Sequence, residues 1–480
     1  MRKLLLISVI CLFELVTVQN VRAQYAIPFI DWDTLSSGMG GTQYCVRALI
    51  MHDSTFRSPL YAGGDFMISS KKACAHVAEY SMYTNKWSPL GTGTNGTVNT
   101  LAMYGKKLYA AGSFDSAGGT YTNHIASWDS LAWDSLGSGL NGNVYALTVY
   151  NNALYAGGDF TMAGGVPAKR IAKWDGTSWS AVGAGFDSNT VYALTVYKDT
   201  LYAGGSFISS NGVQVNHIAK WDGTKWDSLG HGTNDNVYAL TGYDALYAGG
   251  AFTKAGNLTA NHIASWEHYS INKWDSLGPG TDDTVFALSQ GDAPYAVIIK
   301  SHKTEYVGNI LLVGGKFRHV DKVSSPYIAA YNGGWYIIGQ LNATVYALTC
   351  SPFSTGNENN YVGGVFDSCY GSEYRDTLRL NYVAQLQLGF PGGINEVSPS
   401  NNDVTVYPNP SNGIFTIEQS AEKQSGVIEV YNVLGEKVFK SSFSAPRFTL
   451  NLSGQPNGVY IYKVVDKSGT IIGTGKLVVE

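Results

Sequence analysis

VYALTVYNNALYAGGDFTMAGGVPAKRIAKWDGTSWSAVG, residues 144–183, is one copy of a unit that the chain spells out seven times. Its first element, V-x-[AT]-L, begins at Val46, Val98, Val144, Val191, Val237, Val285 and Val345. The second, G-G-x-F, ends at Phe66, Phe114, Phe160, Phe207, Phe252, Phe317 and Phe366, with Ala111 in place of the first glycine of the second copy. A third, [IV]-A-x-[WYL], begins at Val77, Ile125, Ile171, Ile218, Ile263, Ile328 and Val383. All three are short, rich in β-branched and aromatic residues, and bounded by Gly, Asn, Asp and Ser, the pattern of strands between turns. Self-similarity at this period is the mark of a repeat architecture.

The fourth element decides the topology. W-x-x-[LVI]-G follows the third strand only six times, at Trp87, Trp133, Trp179, Trp226, Trp274 and Trp335. The seventh version, Trp32-Asp33-Thr34-Leu35, stands before the first V-x-A-L. The array thus starts on strand four and stops on strand three. An open solenoid has no reason to do so, whereas a closed ring does, because the N-terminal strand then completes the last sheet and removes a raw edge. The expected fold class is all-β: a seven-bladed β-propeller closed by its N-terminal strand, followed by a small immunoglobulin-like β-sandwich. In a propeller each sheet is covered on both faces, which suits VYALTVY and LYAGG. The paired glycines clear space for a close approach, and the following phenylalanine packs between blades.

The double glycine, the aromatic third strand and the tryptophan of the fourth resemble kelch-type β-propellers over residues 31–390. The first strand, V-x-A-L, departs from the usual kelch pattern, so the resemblance is one of fold. Successive phenylalanines lie 48, 46, 47, 45, 65 and 49 residues apart. The long interval reflects an insertion after Leu288, running to Asn309. A longer third link at 267–273 and a longer first hairpin at 351–360 fall on the same face. Insertions confined to one face mark a working surface, and this one carries Tyr295, His302 and Tyr306, candidates for stacking on a ligand. The opposite face carries the Asn- and Asp-rich links into each inner strand, with Asp187, Asp235, Asp282 and Asp283 as candidate contacts. Turn chemistry explains those links sufficiently, which favours the insertion face.

The start of the chain reads as a secretory signal peptide over residues 1–23: Arg2 and Lys3, an apolar run from 4 to 18, and cleavage between Ala23 and Gln24. A membrane anchor would need about 20 apolar residues, and no later segment could span a bilayer. Cys11 lies inside the apolar run, away from a lipid-attachment position. The four cysteines that follow, Cys45, Cys74, Cys350 and Cys369, allow three pairings, or none if all are buried thiols. Only 14% of residues are charged, against about 25% in ordinary soluble domains. The net charge of −4 leaves no basic footprint for nucleic acid.

Residues 24–390 form the expected propeller and 391–402 (PGGINEVSPSNN) a linker. Residues 403–480 hold seven strand-like runs, at 404–407, 414–417, 427–431, 437–439, 448–452, 459–465 and 476–479, between Pro-, Asn- and Gly-rich turns. VYPNPSNGIFTI (406–417), YNVLGEKV (431–438), LSGQPNGVYIYKVV (452–465) and GKLVV (475–479) closely resemble the C-terminal sorting domain of the type IX (Por) secretion system. Pro408, Asn409, Pro410, Gly413, Gly435, Gly458 and Tyr460 are the positions that carry this signal. The resemblance implies the type IX machinery as a partner and release from, or attachment to, the outer cell surface.

No constellation for catalysis stands out. His76, His124, His217 and His262 recur one per repeat just before the third strand, an arrangement that spreads them around a ring and away from a common metal. No C-x-x-C, H-E-x-x-H, phosphate loop or nucleophile elbow is present. The expectation is a non-catalytic surface module that binds or adheres to a glycan or protein, without cofactor or metal. The alternative is a polysaccharide lyase or glycoside hydrolase with catalytic residues borne on loops.

Overall fold

Each repeat folds into one four-stranded antiparallel sheet in the computed structural model, which describes residues 29–480 apart from 36–38, 41–44, 53–57, 70–71, 74, 243, 268–271, 292–295, 301–302, 308–309, 351–358, 371–376, 390–403, 420–425, 433–435, 446 and 467–470. In the third sheet the strands are Val144–Tyr150, Ala153–Gly158, Ile171–Trp174 and Trp179–Ala181, joined in that order. Local chemistry fixes the turns. Asn151 and Asn152 take φ of 45° and 55° between the paired Tyr150 and Ala153, the two-residue turn whose twist matches a hairpin. In the last hairpin the Asp175 carboxylate accepts the Thr177 and Ser178 amides at 2.8 Å each, an arrangement that holds its pKa well below the usual range.

Seven such sheets follow one another within the first of two compact units, Met1–Phe390. The seventh is built from both ends of that unit. Phe29–Thr34 pairs antiparallel with Val383–Gly389, from Phe29 opposite Gly389 to Thr34 opposite Ala384. Inner strands pack beside one another in succession, and Val345–Cys350 of the seventh sheet lies beside Val46–Met51 of the first. The result is an all-β, propeller-like array of small antiparallel sheets.

The repeated residues explain the packing between sheets. The first glycine of each pair stands against the valine of the next inner strand. A Cβ on Gly157 would lie 2.5 Å from Val191 Cγ1, and one on Gly363 would lie 2.5 Å from Val46 Cγ1. The second glycine of each pair meets backbone; a Cβ on Gly158 would lie 2.0 Å from the Asn143 carbonyl oxygen. The seven phenylalanines that follow are at most 2% exposed, each contributing about 1.5–3 kcal/mol by burial. Further out, tryptophans stitch each sheet to the one before. Indole N–H groups of Trp87, Trp133, Trp179, Trp226, Trp274 and Trp335 donate to the carbonyls of Leu35, Leu90, Leu136, Val182, Leu229 and Leu277 at 2.8–3.2 Å.

The second unit, Pro391–Glu480, has a three-stranded sheet (Val404–Tyr407, Ile414–Gln419, Arg447–Asn451) and a four-stranded one (Lys437–Phe443, Gly426–Tyr431, Gly458–Asp466, Ile471–Val479). Phe415, Ile417 and Leu450 of the first share one buried core with Ile428, Val430, Val464 and Leu477 of the second. The seven expected strands are present, five of them longer than expected. Cys45 is a buried free thiol, pushed up by burial to about 12; Cys369 is buried as well and Cys350 partly buried. Cys74 lies outside the described residues. Among the described residues no helix is long and apolar enough to cross a membrane.

Candidate functional site: an aromatic collar on the inner strands

Every inner strand begins with a β-bulge. In sheet three Val144 pairs with Gly158 and Ala146 with Gly157, leaving Tyr145 unopposed. The same skip occurs at Arg47, Asn99, Tyr192, Tyr238, Phe286 and Tyr346. A bulge re-aims its extra side chain. Here the flanking valines are fully buried, while the bulged residues keep part of their surface in solvent.

Five of those bulged side chains are aromatic, and they touch in order. Ring centroids are 5.6 Å apart for Tyr145–Tyr192, 5.1 Å for Tyr192–Tyr238, 5.3 Å for Tyr238–Phe286 and 5.2 Å for Phe286–Tyr346. The Arg47 guanidinium continues the arc, 5.8 Å from the Tyr346 centroid. The five rings and Arg47 therefore form a collar along successive inner strands, at the end where the links enter them, and Asn99 holds the equivalent bulged position in sheet two.

Polar groups frame the collar. Arg47 pairs with Asp65 at 3.3 Å, and Asn99 Nδ2 donates to the Val144 carbonyl at 3.1 Å. Asp159 accepts from Asn143 Nδ2 at 3.0 Å, with the Tyr145 hydroxyl at 3.5 Å; Asn236 Nδ2 donates to the Tyr238 hydroxyl at 3.1 Å. Burial, and then the Asp159 charge, raise the Tyr145 phenol above its ordinary pKa. Burial raises that of Tyr346 as well. Both hydroxyls therefore stay protonated at neutral pH.

The four expected acidic contacts share this face but divide into two kinds. Asp187 accepts the Ser209 hydroxyl at 2.8 Å and the Gly212 amide at 2.9 Å, which lowers its pKa. Asp282 accepts the Arg318 and His319 amides at 2.8 and 2.9 Å and faces His319 Nδ1 at 2.7 Å; burial pushes its carboxyl up, but these bonds prevail and lower it. Asn95, Asn141, Asn234 and Asn342 do the same in their repeats, each taking two amides of the connection between strands two and three. Asp187 and Asp282 are clamps that hold each link onto its own sheet. Asp235 and Asp283 lie next to the inner strands: Asp235 accepts the Asn236 amide at 2.7 Å, and Asp283 accepts the Thr284 amide at 2.7 Å and meets Lys316 Nζ at 3.5 Å.

Tyr295 and His302 lie outside the described residues. Tyr306 falls in the strand Lys303–Val307, paired with Ala296–Lys300, and its side chain is likewise outside the description. His76, His124, His217 and His262 all adopt left-handed backbone, φ 65–69°. Each is gripped by its backbone, His76 N donating to Phe66 O and His76 O accepting from Gly64 N. Among the described residues no group of three or more His, Cys, Asp or Glu is placed to hold a metal.

The tail motifs have local reasons. Asn409 donates to the Lys476 carbonyl at 2.6 Å and accepts the Val478 amide at 2.8 Å, clasping Pro408-Asn409-Pro410 to the last strand. Gly413 has φ 96°, and a Cβ there would lie 2.7 Å from Ser453 Cα. Buried Tyr460 donates to the Pro456 carbonyl at 2.7 Å; Gly458 opens the same strand. Gly435, Ala23 and Gln24 lie outside the described residues.

The collar escaped the sequence reading, although a signal was there. In V-x-[AT]-L the x position varies as Arg, Asn, Tyr, Tyr, Tyr, Phe and Tyr while its neighbours barely change.

Residues 405–480 match the family model of the secretion system C-terminal sorting domain. Residues 103–245 match that of the Rax2 C-terminal beta propeller domain. An endo-acting ulvan lyase of Formosa agariphila is 35% identical over 68 residues, 14% of this chain and 13% of that protein. Among solved structures, the extracellular domain of the one component system BT4673 from B. thetaiotaomicron is similar at TM-score 0.45 and 11% identity, over 94% of this chain and 58% of that one. The computationally designed Ika8 protein gives 0.39 at 13%, over 92% and 98%. A fungal alcohol oxidase of the AA5 family gives 0.36 at 9%, over 94% and 99%. The chain thus joins a propeller-like β domain to a Por-type secretion sorting tail, which directs it out of the cell.

Proposed function

We propose that the chain is an exported, kelch-like seven-bladed propeller that acts as a non-catalytic binding or adhesion module at or beyond the outer cell surface. In this reading the N-terminal strand closes the ring, the sorting tail is an immunoglobulin-like sandwich, and the ligand docks at the collared mouth. One observation carries it: bulges leave five aromatic rings and Arg47 unopposed and in contact from one inner strand to the next. Strand interiors are committed to packing, so such re-aimed side chains are the ones free to meet a ligand. The insertion at 290–309, with Tyr295, His302 and Tyr306, is the competing surface. Binding of the mature chain to panels of glycans and matrix proteins tests the reading. Saturable binding without turnover, lost in Tyr192→Ala/Tyr238→Ala, is expected. Turnover of a polysaccharide would favour a lyase or hydrolase, and binding unchanged by the double substitution would move the site to the insertion.

A further inference from the structure

The geometry points to an uncharged saccharide as the collar's ligand, an inference that rests on the axial-mouth reading above. The first argument is electrostatic. Sites for anionic polymers gather Arg and Lys whose charge is left for the ligand. Here, among the described residues, the three cations Arg47, Lys316 and Arg170 face the four carboxylates of Asp65, Asp159, Asp235 and Asp283. Arg47 pairs with Asp65 at 3.3 Å and Lys316 with Asp283 at 3.5 Å. Arg170 keeps its charge, with its Nε donating to the Asn189 carbonyl at 2.5 Å and Nη1 to the Phe160 carbonyl at 3.3 Å. Asp159 and Asp235 add negative charge without a cation in their hydrogen bonds. A sulfated or uronic acid chain would meet a mouth with no positive surplus.

The second argument is shape and polarity. A sugar ring presents C–H faces and a rim of hydroxyls, each able to donate and accept. The collar answers both. Its arc of rings from Tyr145 to Tyr346 supplies apolar faces with phenolic tips. The break in that arc, at Arg47 and Asn99, supplies the guanidinium, the Asp65 carboxylate and an amide. The rest of the rim is amide and hydroxyl as well, at Asn143 and Asn236. The asymmetry fixes an orientation, with the C–H face toward sheets three to seven and the hydroxyl rim toward sheets one and two.

Titration calorimetry of the full mature chain tests this with neutral oligosaccharides (cello-, xylo-, manno- and laminari-series), with polygalacturonate and a sulfated galactan, and with a host-matrix protein. The expected result is binding of a neutral series whose affinity changes little between about 0.05 and about 0.5 M salt. Tyr192→Ala should weaken it about ten-fold, Tyr192→Phe should retain it, and Arg47→Gln should weaken it several-fold. An unchanged thermal midpoint for Tyr192→Phe and Arg47→Gln separates ligand loss from misfolding. Preference for the anionic polymers, or for the matrix protein, through a collar that Tyr192→Ala disables would overturn the saccharide inference and leave the mouth reading standing. Binding of any probe that is indifferent to Tyr192→Ala and Arg47→Gln would overturn both.

Discussion

Gly363→Ala tests whether the seventh sheet meets the first. The added Cβ would stand 2.5 Å from Val46 Cγ1, 3.0 Å from Val46 Cβ and 3.2 Å from Leu49 Cδ1. Carbon pairs prefer about 3.5–4.0 Å, so the methyl overlaps its nearest neighbour by roughly 1 Å. That neighbour is β-branched and stiff at χ1, fully buried, and cannot swing aside. Overpacking of this kind costs about 1–3 kcal/mol. All eleven tryptophans precede Phe390, so tryptophan fluorescence during urea unfolding reports the repeat unit alone. Gly157→Ala, 2.5 Å from Val191 Cγ1, is the internal reference between sheets three and four. The two substitutions should cost alike, and Val46→Ala should relieve Gly363→Ala specifically, so that the double variant is more stable than additivity allows. If Gly157→Ala destabilises while Gly363→Ala changes nothing, the seventh sheet does not bear on the first and the ring is open. Sheet two shows that the site can be built for a methyl, since Ala111 occupies it, fully buried, in a cluster with Val144.

Trp179→Phe removes the donor to the Leu136 carbonyl, 2.8 Å away and buried, and should cost about 1–3 kcal/mol in the same assay; a loss below about 0.3 kcal/mol would show that the stitches are incidental. Burial lowers the pKa of His76, His217 and His262 below the ordinary 6.5. The unfolded chain therefore takes up protons first as pH falls below 6.5, and stability drops until the folded-state values are passed. Replacing all three by Asn, which tolerates the left-handed backbone, should flatten that part of the melting-temperature profile, and an unaltered acid slope would place the proton uptake elsewhere. Removing residues 403–480 should leave a folded repeat unit in the periplasm, read by fractionation; arrival of the shortened protein at the surface would show that the tail is not the address.

Much of the fold could be read because each strand carries its own punctuation. Paired glycines, a phenylalanine and a tryptophan recur at fixed offsets, and the tail spells its turns with Pro, Asn and Gly. The collar was hidden for a physical reason. VYALTVY reads as a strand covered on both faces, but a bulge exists only in the pairing of two strands. Nothing in one strand says that Tyr145 will be left unopposed between Val144 and Ala146. The clamps were hidden in the same way. Asp282 reads as a turn residue until its partners, 36 and 37 positions later, arrive beside it.

The pairing of Phe29–Thr34 with Val383–Gly389 also orders events in time. The first strand of the unit has no partner until nearly all the rest has been made, and closing a loop of that length costs about 5 kcal/mol in chain entropy. A chain cut short anywhere before Val383 can never engage it. The sorting tail lies further on still, from residue 405. Any chain that carries the export address has therefore already passed through the segment that completes its last sheet, and the address serves as a certificate of that completion.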